Sequence, residues 1–138
     1  MAEQTKDKIL LEVVTPERMV VSEEVDEVIL PGIEGEFGVL PGHIPFLTAL
    51  KVGEMVYRKG GQSEHLALSW GYVEVSAESV KVLAETAEKA TEIDLSRAEL
   101  ARQEAEKILT AGKEDAEYER AKVTLEKSVI RVQVAGRR

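Results

Sequence analysis

Side chains able to do chemistry are few in this sequence and do not assemble. Its two histidines, His43 and His65, fall in different β-rich segments, and it has no cysteine. Serine and aspartate are present, but no G-x-S-x-G context surrounds a serine. Glutamates are numerous yet scattered along acidic turns, where a solvated surface accounts for them. Gly32-Ile-Glu-Gly35-Glu-Phe-Gly38 is glycine-rich but lacks the G-x-G-x-x-G order, and Glu34 and Glu36 would repel a phosphate. Neither a Walker loop nor a metal-ligand spacing occurs. Asp94 and Arg97 lie one helical turn apart and could face one ligand. The plain alternative is that Asp94 caps a helix and Arg97 makes a surface ion pair. Catalysis is not expected.

The elements around these residues follow from composition and pattern. The 138 residues suffice for one domain, or for a small domain with an appendage. Only 4% are aromatic, so the core must be built from Val, Leu, Ile and Ala. The net charge of -8 is unevenly spread: residues 1–90 are strongly acidic, while Lys127, Arg131, Arg137 and Arg138 form a basic end without acids. An acidic body with a basic tip does not suit nucleic acid, which needs a broad basic face. The tip either pairs with an acidic protein surface or simply complements a helix dipole. Met1–Lys8 lacks the basic and apolar regions of a signal peptide, and no run approaches the roughly 20 apolar residues of a membrane span. Membrane association is therefore expected only through a partner.

Two periodicities divide the chain. Up to about Ala87 it reads as short β-runs: Ile9–Val14, Met19–Val21, Val25–Leu30, Glu54–Arg58, His65–Leu68, Tyr72–Val75 and Val80–Leu83. Lys59-Gly-Gly-Gln-Ser63 and Ser76-Ala-Glu-Ser79 read as hairpin turns. Such spacing predicts a β-sandwich or barrel. After Glu85 helix formers take over, with Thr91 or Asp94 as N-cap and Leu95, Ala98, Ala101, Ala105 and Ile108 on one stripe. Gly112 stops that helix, and a second starts near Lys113-Glu-Asp115, continuing through Tyr118, Ala121, Leu125, Ser128 and Val132. The fold class is α+β, with a sandwich over 1–87 and an antiparallel helical hairpin over 88–138. Its alanine-rich seam buries little apolar area, so the hairpin is expected to be weakly held. A movable element and a modest appendage both fit that description.

The segment from Pro31 to Leu50 interleaves Gly32, Gly35, Gly38 and Gly42 with Pro31, Pro41 and Pro45. Between them Phe37, Val39, Leu40, Ile44, Phe46 and Leu47 supply apolar anchors. Glycines permit sharp turns and prolines interrupt ladder pairing, so this loop is either folded over the core or offered to another protein.

Gly38-Val-Leu-Pro-Gly-His-Ile-Pro45, followed by Leu47-Thr-Ala-Leu50, resembles the signature of epsilon subunits of rotary, F-type ATP synthases. Val13-Val-Thr-Pro16, Ser69-Trp-Gly-Tyr-Val-Glu-Val75, Ala87-Glu-Lys-Ala90 and Ile93-Asp-Leu-Ser-Arg-Ala98 match in order, so the resemblance covers essentially the whole chain. It implies a β-sandwich of about ten strands and two helices, in a central stalk beside the gamma subunit and above the ring of c subunits. It implies a non-catalytic subunit that couples ring rotation to ATP synthesis and inhibits ATP hydrolysis through a mobile hairpin. Gly38, Leu40, Pro41 and His43 are then candidates for gamma or c-ring contact. Lys127, Arg131, Arg137 and Arg138 are candidates for an acidic surface of the alpha and beta subunits. The implied location is the cytoplasmic face of a bacterial plasma membrane, peripheral and held through the complex, ahead of a chloroplast thylakoid.

No cofactor is required by this reading, but ATP can enter as a regulatory ligand. Some bacterial members bind it through a motif like Ile93-Asp94-x-x-Arg97-Ala98 and basic residues on the second helix. Arg131 matches one such position. Lys127 occupies another that is commonly Arg, keeping charge but losing the bidentate fork. Glu104 stands where some ATP-binding members are basic, a departure that counts against the carry-over. The alternative function from these residues is a stand-alone ATP-binding sensor module.

Overall fold

The computed structural model describes residues 7–138. The first six residues, on which much of the signal-peptide reading rests, lie outside the described residues. Eight strands come first: β1 (Ile9–Val14), β2 (Met19–Val25), β3 (Glu27–Gly32), β4 (Gly35–Val39), β5 (Phe46–Leu50), β6 (Gly53–Lys59), β7 (Gln62–Val75) and β8 (Ser79–Lys89). A 3-10 turn, Ala90–Glu92, leads to α1 (Leu95–Ala111) and α2 (Ala116–Ala135).

Alternation drives the sandwich. In β1, Ile9, Leu11 and Val13 are buried while Leu10 is exposed, and in β8 Val80, Val82 and Ala84 face the same core. The strands hydrogen-bond in the order β2-β1-β8-β7-β5-β3-β4, with β6 between β3 and β7. β1 and β8 are parallel and the other pairs antiparallel. The core is mainly aliphatic, with Met55 and Tyr57 buried in it and Phe37 packed at its margin.

Among the described residues there are eight strands, against the roughly ten the resemblance implies, and two runs read separately in the sequence join into one. β7 carries 14 residues and serves three neighbours, pairing with β6 over its first half and β5 over its second on one side, and with β8 on the other. The change of direction falls at Trp70 (φ 32°) and Gly71 (φ 155°). This bend lets one strand turn a corner of the sandwich without ending. β2 likewise runs on through Ser22-Glu-Glu24, which composition reads as a turn. It is an edge strand, so Ser22 and Glu24 stay exposed while Val21 and Val25 point inward.

The hairpin has its expected ends. Asp94 caps α1 by accepting from the Arg97 amide (3.1 Å), and Asp115 caps α2 by accepting from the Tyr118 amide (3.0 Å). Gly112 closes α1 in the left-handed conformation (φ 76°). The seam buries Ala98 and Ala105 of α1 and Ala121 and Ser128 of α2. Leu95, in the first turn, is 43% exposed and contributes less than its place on the stripe suggests.

Candidate interface of hairpin and sandwich

The hairpin is attached mainly through the last turns of α2. Val134 and Ala135 pack with Ala67, Ala90 and Ile93, and Ile130 lies against the group. This second cluster is separate from the main core and built from small side chains, so its apolar contribution is modest.

Polar contacts frame it. Arg131 makes a fork-to-fork pair with Glu88 of β8, Nε to Oε1 at 2.7 Å and Nη2 to Oε2 at 3.1 Å. Arg137 does the same with Glu54 of β6, at 3.0 and 3.1 Å. Glu54 also accepts from Gln133 (3.2 Å) and lies 3.0 Å from Nδ1 of His65. Burial pushes the Glu54 carboxyl up, but the bonds from Arg137, Gln133 and His65 together outweigh it and hold the group below the usual carboxylate value. Arg138 donates to the Ile93 carbonyl (2.9 Å), and Arg18 of the β1–β2 connection pairs with Glu92. Lys127 lies 3.7 Å from Glu85 and 4.6 Å above the Trp70 ring, a cation–π contact.

Beside these contacts a cleft of about 530 Å³ opens between α2 and the sandwich. Lys127, Arg131 and Arg18 line it, and so do Glu17, Glu85 and Glu88. Of the residues expected at an ATP site, Lys127 and Arg131 are thus brought together on one wall. Ile93 is buried in the small cluster, Ala98 in the helix seam, and Asp94 serves as a cap. Arg97 does not line the cleft. Sequence reasoning missed Glu54 and Glu88, because an acidic residue in a strand gives no sign of which helix will cross it.

The Pro-Gly loop lies elsewhere. Gly38 is in β4, while Leu40, Pro41 and His43 belong to the β4–β5 connection. Gly42 (φ 85°) donates its amide to the Ala77 carbonyl (2.8 Å), and His43 donates its amide to the Leu40 carbonyl (3.2 Å). The loop is therefore pinned to the β7–β8 turn. Part of the segment folds over the core, since Val39 and Leu50 are buried, while Leu40, Ile44 and Leu47 are 55, 74 and 69% exposed.

A second outward feature had no signal in sequence. Register aligns Ala49, Tyr72, Leu83, Val14 and Met19 side by side across β5, β7, β8, β1 and β2. Tyr72, Leu83 and Met19 are 62, 52 and 50% exposed, an apolar row on an acidic protein. Among the described residues, no helix is long and apolar enough to cross a membrane, and no group of three or more His, Asp or Glu is placed to hold a metal ion.

The chain is thus a β-sandwich carrying a folded-back helical hairpin, with an apolar row and an exposed apolar loop on its outer surface. The family model for the ATP synthase delta/epsilon chain β-sandwich domain matches residues 8–90, and that for the delta/epsilon long alpha-helix domain matches 91–136. An ATP synthase epsilon chain from Geobacter sp. (strain M21) is 56% identical over 132 residues, covering 95% of this chain and 96% of the relative. That from Citrifermentans bemidjiense is 55% identical over the same length and coverage. The fold matches a chain in the Euglena gracilis mitochondrial ATP synthase with a TM-score of 0.81 at 24% identity, covering 94% of this chain and 81% of that one. The chain belongs to the ATP synthase delta/epsilon chain family, and within it to the epsilon subunits.

Proposed function

We propose that this chain is a non-catalytic central-stalk subunit of a proton-translocating ATP synthase. It couples rotation of the c-ring to ATP synthesis and restrains ATP hydrolysis through its hairpin. The observation that carries this is the match of both halves, in order, to the two family domains, with 56% identity to an epsilon chain over 132 residues. The sandwich, the 1–87 unit, binds gamma and the c-ring through the Leu40–Ile44 loop and the Tyr72–Leu83 row. The hairpin, the 88–138 unit, presents Lys127, Arg131, Arg137 and Arg138 to the alpha and beta subunits when released. The complex holds the chain at the cytoplasmic face of a bacterial membrane.

Co-purification with gamma tests the assignment. Wild-type chain is expected to elute with gamma, and a Tyr72→Glu/Leu83→Glu double variant to lose at least about tenfold in affinity. A desolvated contact of this kind is worth over 1 kcal/mol, whereas solvated surface substitutions change folding stability by about 0.5 kcal/mol. Equal recovery of the two proteins removes the apolar row from the interface. Recovery of neither removes the stalk assignment.

ATP as a regulatory ligand is a separate reading, favoured by Lys127, Arg131 and Arg18 on the wall of the 530 Å³ cleft. A nucleotide there must displace Glu88 from Arg131. Titration calorimetry is expected to show ATP heat in the wild type and at least about a tenfold weaker response in Arg131→Gln, the loss of one charge-assisted pair. Heat that survives the substitution excludes this cleft.

A further inference from the structure

The contacts at the C-terminal end of α2 point to a device that goes beyond the subunit assignment. We infer that Glu54 and Glu88 form a two-point carboxylate latch that holds α2 on the sandwich and masks Arg131 and Arg137 from any other anionic partner. The inference rests on the reading of the hairpin as a movable regulatory element.

The two pairs have the same construction on different strands. Each guanidinium presents Nε and one Nη to both oxygens of one carboxylate, on β8 for Arg131 and on β6 for Arg137. Arg131 lies in the last turns of α2 and Arg137 two residues past its end, so the two points bracket Val134 and Ala135. Between and beside them the apolar footprint is three alanines with Ile93, Val134 and Ile130. Bidentate arginine–carboxylate pairs fix geometry as well as adding energy. With so small an apolar contact, they contribute a large share of what orients α2.

Glu54 is the stronger point. Its side chain is only 14% exposed, and its two oxygens serve Arg137 twice, Gln133 and His65. When α2 leaves, Arg137 and Gln133 leave with it, and only His65, on β7, remains beside the carboxylate. A half-buried carboxylate that loses its guanidinium is destabilised, which favours re-docking. The masking follows from the same geometry. The Nε and Nη2 donors that would grip an acidic peptide side-on are already gripping Glu88 and Glu54, and each carboxylate offsets the charge of its guanidinium. Docking and anion binding therefore compete, and each lowers the apparent affinity of the other by the same factor.

The test uses the full-length isolated chain. Amide hydrogen exchange at 130–136 is followed in wild type, Glu54→Gln, Glu88→Gln and the double variant, with Glu36→Gln on the remote β4 as control. Exchange is expected to rise about tenfold in Glu54→Gln and further in the double variant, a change of about 1.4 kcal/mol per tenfold. The amides of β1 and β8 and the control are expected to stay at the wild-type rate. Arg137→Gln provides the same reading from the hairpin side without altering the sandwich, should Glu54→Gln disturb β6. Polyglutamate peptide is expected to bind the double variant at least about fivefold tighter than wild type. Unchanged exchange at 130–136 in both the double variant and Arg137→Gln, or equal polyglutamate affinity, overturns the latch. No other subunit is needed, so its failure and failure of the stalk assignment are distinguishable.

Discussion

Replacing Gly71 by alanine is expected to destabilise the sandwich by about 3 kcal/mol or more, combining backbone strain with overpacking. A Cβ on Gly71 would stand 1.9 Å from the Leu83 carbonyl oxygen and 2.8 Å from the Ala84 Cα. Both are backbone atoms of β8, which β1 holds on its other side, so neither can move aside cheaply. The φ of 155° adds a conformation that side chains rarely adopt. Urea denaturation followed by the single tryptophan, Trp70, reads the loss directly. Gly112→Ala is the control. Its φ is also positive, at 76°, but a Cβ there meets only the Thr110 carbonyl oxygen at 4.0 Å. Its cost is expected near 1 kcal/mol, that of a left-handed cap without its glycine. Equal costs at the two positions would show that the close approach of β7 and β8 is not what Gly71 supplies.

Ending the chain after Ala90 is expected to leave a folded sandwich that joins the complex, and to raise ATP hydrolysis by that complex several-fold. The main core contains no residue beyond Ala87, so the cut removes the helix seam and uncovers Ala67 and Ala90 of the small cluster but leaves that core whole. The place of the cut matters. Sequence periodicity puts the boundary at 87 and ends the last β-run at Leu83. β8, however, pairs with β7 as far as Lys89, and Ala84 and Ala87 are core residues. Stopping at Leu83 would strip the rest of β8 from the long strand and expose its neighbours. Hydrolysis in membranes reconstituted with the shortened chain measures the effect, and an unchanged rate would remove the hairpin as a restraint.

Local chemistry made some features legible from the residues themselves. Period-two alternation places Ile9, Leu11 and Val13 on the core face of a strand. Gly60 and Gly61, both at positive φ, make the β6–β7 turn, and Asp94, Gly112 and Asp115 bound the helices. Each depends on neighbours within a few residues. The length of β7 was not legible, because a strand that turns a corner at Trp70 and Gly71 looks like two strands and a break. The family was legible from Gly38–Leu50, whose glycine and proline spacing is distinctive along the chain itself.

The sequence by itself determined the division into a β-rich body and a helical hairpin, the aliphatic core, and the basic end of α2. Those follow from residue type and spacing along the chain. Only the tertiary structure decided which carboxylates meet that basic end and which exposed residues stand in one row. Glu54 and Arg137 are 83 positions apart, and Met19 and Tyr72 are linked only through successive strand registers. Pairings of that range are set by sheet register and by where α2 crosses the sheet, and one residue of slip would change every partner.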